Sequence, residues 1–151
     1  MRVFRRFALE PHAQRDILKA RREGQNVRSE TINSHNVAGI DWDEGYFKFC
    51  NFEGLSIEGQ VVTSDFVGCS FKKVDWYWGL FSHCNFINCN FADCAFAGTG
   101  FADCRFVDCK LVDCRFVKDR LGGDCHFPKT IAYGCSIESS LGFGLVPDAV
   151  V

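Results

Sequence analysis

The chain has 151 residues, 47% hydrophobic and 24% charged, with a formal net charge of −2. That length suits one domain with a real core, and the near-neutral charge excludes a generally basic nucleic-acid binder. No stretch approaches the ~18 uninterrupted apolar residues of a membrane span. Ten cysteines and sixteen phenylalanines, against three prolines and one methionine, are the abnormal counts.

Residues 1–24 are expected to form an N-terminal cap. Arginines interrupt the apolar residues of Met1 to Phe7, so no secretory signal is expected there. Pro11 to Glu23 predict a short helix: Pro11 suits its first position, Gly24 its stop, and Lys19, Arg21 and Arg22 the negative end of its dipole. Phe4, Phe7, Leu9, Ile17 and Leu18 can then cover the start of the next segment.

From residue 25 to residue 139 a period of five takes over. Val27, Ile32, Val37, Trp42, Phe47, Phe52, Ile57 and Val62 are all apolar. One residue short of the next step, Phe66 opens a second run: Phe71, Trp76, Phe81, Phe86, Phe91, Phe96, Phe101, Phe106, Leu111, Phe116 and Leu121. A third, weaker frame holds Phe127, Ala132 and Ile137. Each of these residues is the centre of a five-residue unit, and all ten cysteines lie two residues before a centre. Five is neither 3.6 nor 2, so the pattern is no ordinary helix or long strand. A centre and the residue two before it share one face of a short extended piece, and two further residues turn the chain. Repeated strand-plus-turn units make a solenoid whose core is built by stacking.

Units such as Cys89-Asn90-Phe91-Ala92-Asp93 resemble the pentapeptide-repeat family, with Cys in place of the usual Ala or Ser and Phe more often than Leu. The resemblance implies an all-β solenoid, a right-handed quadrilateral β-helix with four units per coil and nearly six coils. Four faces follow. The first would stack Val27, Phe47, Phe66, Phe86, Phe106 and Phe127; the second would end in Leu111 and Ala132, the third in Phe116 and Ile137, the fourth in Phe101 and Leu121. By the same assignment Cys104 and Cys125 stack together, as do Cys114 and Cys135. The slips at Thr63-Ser64-Asp65 and Gly122-Gly123-Asp124 are expected to be local irregularities or small displayed loops. Residues 140–151, with Leu141, Phe143, Leu145, Val146, Val150 and Val151, form an apolar tail that either caps the last coil or makes a homodimer contact.

Chemistry is sparse. The cysteine spacing is that of the repeat rather than of a metal clamp, so the thiols read as small core residues in a reducing cytoplasm. Phosphate-loop, nucleophile-elbow and paired-histidine motifs are lacking, which predicts no enzyme, no cofactor and no metal. Candidate contacts therefore lie outside. Asp93, Asp103, Asp108 and Asp113 each follow a centre by two, and Asp93 and Asp113 should stack. Tyr77 and Trp78 are expected to face out beside Ala97 and Gly98, and Tyr46 and Phe49 likewise. Residues 1–28 carry a net +5 and the remainder a net −7.

These features predict a protein partner, without direct nucleic-acid or membrane binding. One role known in the resembled family is an immunity or antitoxin protein that blocks a bacterial toxin or secreted effector, for instance a nuclease. The alternative is a DNA mimic that binds DNA gyrase, as in quinolone resistance. That role calls for a longer, more acidic rod, and no long inserted loop is visible here.

Overall fold

The computed structural model describes residues 24–144. The helix expected over Pro11–Glu23, and the tail beyond residue 144, lie outside the described residues. Within them the chain winds as a parallel β-solenoid of three-residue strands, each hydrogen-bonded to the strand one coil away. Six strands, beginning at Asn26–Arg28 and ending at Ile131–Tyr133, lie side by side on the first face and mark five full turns. The expected six coils are thus shorter by most of one.

The centres line the interior. Phe47, Phe66, Phe86 and Phe106 stack on the first face at 4.8–5.1 Å with rings within 10° of parallel. Phe52, Phe71 and Phe91 do so on the second, Phe96 and Phe116 on the third, Phe81 and Phe101 on the fourth. Rings of neighbouring faces meet edge-on, as Phe86 meets Phe91 at 5.6 Å and 63°. Phe66, Phe71, Phe86 and Phe101 therefore have stacked rings both above and below and tilted ones beside them, the two arrangements an aromatic quadrupole favours.

The position two before a centre forms a second set of interior columns; Leu55 and Val74 fill two of these places with apolar bulk, and at most others the side chain acts as a donor. Cys89 Sγ donates to the Phe66 carbonyl at 3.3 Å, Cys94 to Phe71 at 3.3 Å and Cys109 to Phe86 at 3.2 Å. Ser64 Oγ donates to the Trp42 carbonyl at 2.7 Å and Thr130 Oγ1 to Phe101 at 2.6 Å, in the same role. Where a cysteine, serine or threonine stands there, it satisfies a corner carbonyl directed into the core. Cysteine fits the narrow column and supplies the hydrogen, which is more than a small apolar residue would do.

Three stretches depart from the expected winding. Val37 lies on a 3-10 turn, Val37–Gly39, rather than on a strand. His35 would have to point inward two positions before it; instead His35 is exposed, and Asn36 pins the turn by donating to the Thr31 carbonyl at 2.8 Å. The slip before Phe66 is no displayed loop: one continuous strand, Val61–Val67, runs through the corner, with Ser64 and Asp65 fully buried. Opposite it, the preceding coil bulges between Asp43 and Tyr46 to absorb the length difference.

The third departure reassigns the end of the rod. Leu121 is not a centre: it is 84% exposed. A centre there would have sent Asp119 inward as an unpaired buried charge. The chain instead leaves the rod after Phe116 and returns at Phe127, which stacks on Phe101 at 5.2 Å and 5° on the fourth face. Ala132 then pairs with Phe106 and Ile137 with Leu111, each one face earlier than expected. Cys135 accordingly joins the Cys109 column and Cys125 lies against Thr99, whose N–H donates to its sulfur at 3.5 Å. Ala132 leaves the last layer underfilled. Phe143 enters that space, 5.4 Å from Phe106, 5.2 Å from Phe116 and 5.4 Å from Phe127.

Candidate functional site

The expected contact residues distribute around the rod rather than forming one patch. Asp93 and Asp113 share the corner between the second and third faces, Asp108 and Phe49 that between the first and second, and Asp103 that between the fourth and first. All four aspartates are exposed in the left-handed backbone region, φ 54–55° for the first three and 56° for Asp113. Asp tolerates that region better than most residues, so a local backbone requirement accounts for its recurrence at this position. Neighbouring bases also interrupt the acidic rows: His83 Nε2 lies 3.7 Å from Asp103, and Lys110 Nζ 3.8 Å from Glu138. Tyr46 contradicts its expected orientation. It is only 5% exposed, because it stands at the bulge, where the period of five fails. Phe49 is exposed as expected, lying over Gly68 with Lys48 Nζ 5.1 Å from its ring.

Tyr77 and Trp78 are the exception to this scatter, because the extruded segment comes back to them. Lys118–Asp124 forms a loop on the corner between the third and fourth faces, the corner that Trp78 and Gly98 occupy in earlier coils. Asp119 organises it. One carboxylate oxygen accepts from the backbone N–H of Leu121 and of Gly123, both at 2.8 Å. The other accepts from the Trp78 indole N–H at 2.8 Å. Arg120 donates its backbone N–H to the Tyr77 hydroxyl at 2.9 Å and its side-chain Nε at 3.2 Å, with the guanidinium 4.8 Å over the Tyr77 ring. Lys118 closes the base on Asp124 at 2.9 Å.

Space for this contact is made by glycine. A Cβ on Gly98 would fall 2.6 Å from Asp119 Oδ2, as would one on Gly123. Ala97 and Gly98 thus leave room above the rod, and the loop's carboxylate fills it. The Gly123 backbone N–H, then the Trp78 indole, hold the Asp119 carboxyl below the usual carboxylate range. Trp78 has φ 57°, a strained position for a bulky residue. Its hydrogen bond to Asp119 and its contact with the Tyr77 ring at 4.7 Å offset that strain. Leu121 stands at the tip without support from the rod.

The loop signal was present in the sequence, in residue 119 rather than 121. Leu121 fits the five-residue spacing, but Asp119, two residues before it, cannot take the inward place that a centre at 121 requires.

Residues 80–116 match the model of pentapeptide repeats, in eight copies. This stretch of the chain is built of pentapeptide repeats. No curated protein matches it. Among solved structures, the pentapeptide-repeat rod is similar to QnrB1, a plasmid-mediated fluoroquinolone resistance protein, at 12% identity and TM-score 0.43, over 78% of this chain and 53% of that one. It therefore spans about half the length of that structure. It is similar also to a proposed glycosyl hydrolase from Parabacteroides merdae (10% identity, TM-score 0.39, 77% and 70% covered). A third is the pentapeptide repeat protein Rfr23 from the cyanobacterium Cyanothece 51142 (11% identity, TM-score 0.23, 78% and 84% covered). No helix among the described residues is long and apolar enough to cross a membrane.

Proposed function

We propose that this pentapeptide-repeat protein is a non-enzymatic protein-binding module of the immunity or antitoxin kind, which neutralises a bacterial toxin or secreted effector by direct contact. The docked Lys118–Asp124 loop carries the reading. A regular repeat recognises through its departures from regularity, and this one holds Leu121 out at 84% exposure beside two aromatics. A loop already ordered before contact spares part of the entropy cost of association. Aromatic and arginine side chains around an aliphatic tip have the composition of an interface anchor. Ten thiols without a disulfide suit action in a reducing cytoplasm.

The DNA-mimic alternative is weaker. A phosphate-like row needs acidic residues along one line, and here they occupy three corners with Arg105, Lys110 and Arg115 between them.

Co-expression with the toxin of a neighbouring gene tests the proposal. The parent chain protects growth, and Leu121→Asp weakens binding at least about tenfold while remaining folded. Undiminished protection by Leu121→Asp would remove the loop from the interface. A parent chain that protects against no neighbouring toxin but alters gyrase supercoiling at micromolar concentration would reverse the choice between the two readings.

A further inference from the structure

The four faces of the rod differ in one respect that the repeat does not require. The first face displays Lys48 and Arg105, the second Glu53, Lys72 and Lys110, the third Glu58, Asp75 and Arg115. From the second coil to the fifth, the fourth face displays no Asp, Glu, Lys or Arg. One of its outward columns runs Val61, Leu80, Gly100 and His126. The other runs Thr63, Ser82, Ala102 and Pro128. Val61 is 55% exposed and Leu80 39%, and the corner bordering them carries Trp78 and the loop with Leu121. Four of the seven large apolar side chains exposed among the described residues thus gather on one face and its edge.

Resting on the reading of the protein as a binding module, we infer that the fourth face and the Lys118–Asp124 loop form one continuous docking surface for a concave groove with an apolar or neutral floor on a partner protein. Charge decides the chemistry of the groove. A charged group set against Val61 and Leu80 would lose its water and gain no counter-charge, so the matching floor is apolar or neutral. Area decides its shape. Three residues across and four coils high give an outline of about 10 by 19 Å, about 200 Å². A stable interface buries about 800 Å² per partner. A flat occupant, including the same face of a second rod, covers too little. A groove that closes around the corner adds the loop, Trp78 and Leu121, and Leu121 then inserts into its wall.

Photo-crosslinking in cells of the source organism tests this, with p-benzoylphenylalanine placed singly at Leu80, at Leu121 and at Asn90 on the opposite face. The expected result is one partner of the same mass joined from positions 80 and 121 and absent from position 90. Adducts from position 90 and none from 80 would overturn the surface while leaving the binding-module reading standing. An absence of adducts at all three positions would overturn both. An adduct of twice the chain's own mass would identify a second copy as occupant and overturn the groove. Leu80→Glu, checked for an unchanged circular-dichroism spectrum, is expected to reduce the position-121 adduct at least fivefold; an undiminished adduct would separate the loop from the face.

Discussion

Asp119 is a surface carboxylate, half-buried by the loop, with an unusual number of donors: two backbone N–H groups and one indole. Its value in the folded chain is lowered, so the sign of the pH dependence follows directly. The docked loop is favoured above the ordinary aspartate value of about 3.9 and loses that advantage as pH falls through the lowered folded value. Because two of its three donors, Leu121 and Gly123, lie in the loop itself, the effect is local to the loop. In an NMR titration, the Trp78 indole N–H resonance should move toward its solvent-exposed position in acid, while the buried Trp42 and Trp76 signals hold. Movement of all three together would mean that the rod, and not the loop, is titrating. Asp119→Ala should accelerate exchange of the Gly123 amide at neutral pH, since that hydrogen bond is lost outright, with little change in the rod's melting temperature.

The thiols make a second residue-level case. Burial pushes the Cys89 and Cys125 thiols up, and nine of the ten are buried, Cys125 alone being partly exposed. Labelling of the native protein should therefore be slow, with the first adduct on Cys125 by mass mapping. Rapid labelling of most thiols would contradict the buried columns.

At the level of the strand, a typical unit contributes one ring and one small donor, as Cys89 and Phe91 do, and each can be varied separately. Cys89→Ser keeps a donor to the Phe66 carbonyl, as Ser64 does for Trp42. It should stay within about 1 kcal/mol of the parent in urea unfolding. Cys89→Val removes the donor and widens the column; it should cost about 2 kcal/mol or more. Phe81 touches Trp76 and Phe101 at 4.8 Å and Phe86 at 5.8 Å. Phe81→Ala should cost about 3–5 kcal/mol, because rigid strands above and below cannot collapse into the void. A loss below about 1 kcal/mol would show that the layers relax.

Across the rod, the five-residue spacing of the rings and the cysteines two before them were enough to read a solenoid of stacked strand-and-turn units, while the square section, four units per coil and the inward set from Phe47 to Phe116 came from the resemblance to pentapeptide repeats. Every unit demands the same local geometry, and each ring is buried only if its neighbours adopt it too, so pattern and fold support one another. The spacing also identified Trp78 and Phe49 as outward aromatics. It misjudged Leu121, Tyr46 and Val37, each at a place where the period breaks and a single neighbour decides: Asp119, the Asp43–Tyr46 bulge, His35. Which corner the loop returns to, that Asp119 rather than solvent receives the Trp78 indole, and that one face is left without charge depend on residues tens of positions apart meeting across coils. Spacing along the chain encodes what repeats. Contacts made once, between one loop and one corner, exist only after winding has set the coils side by side.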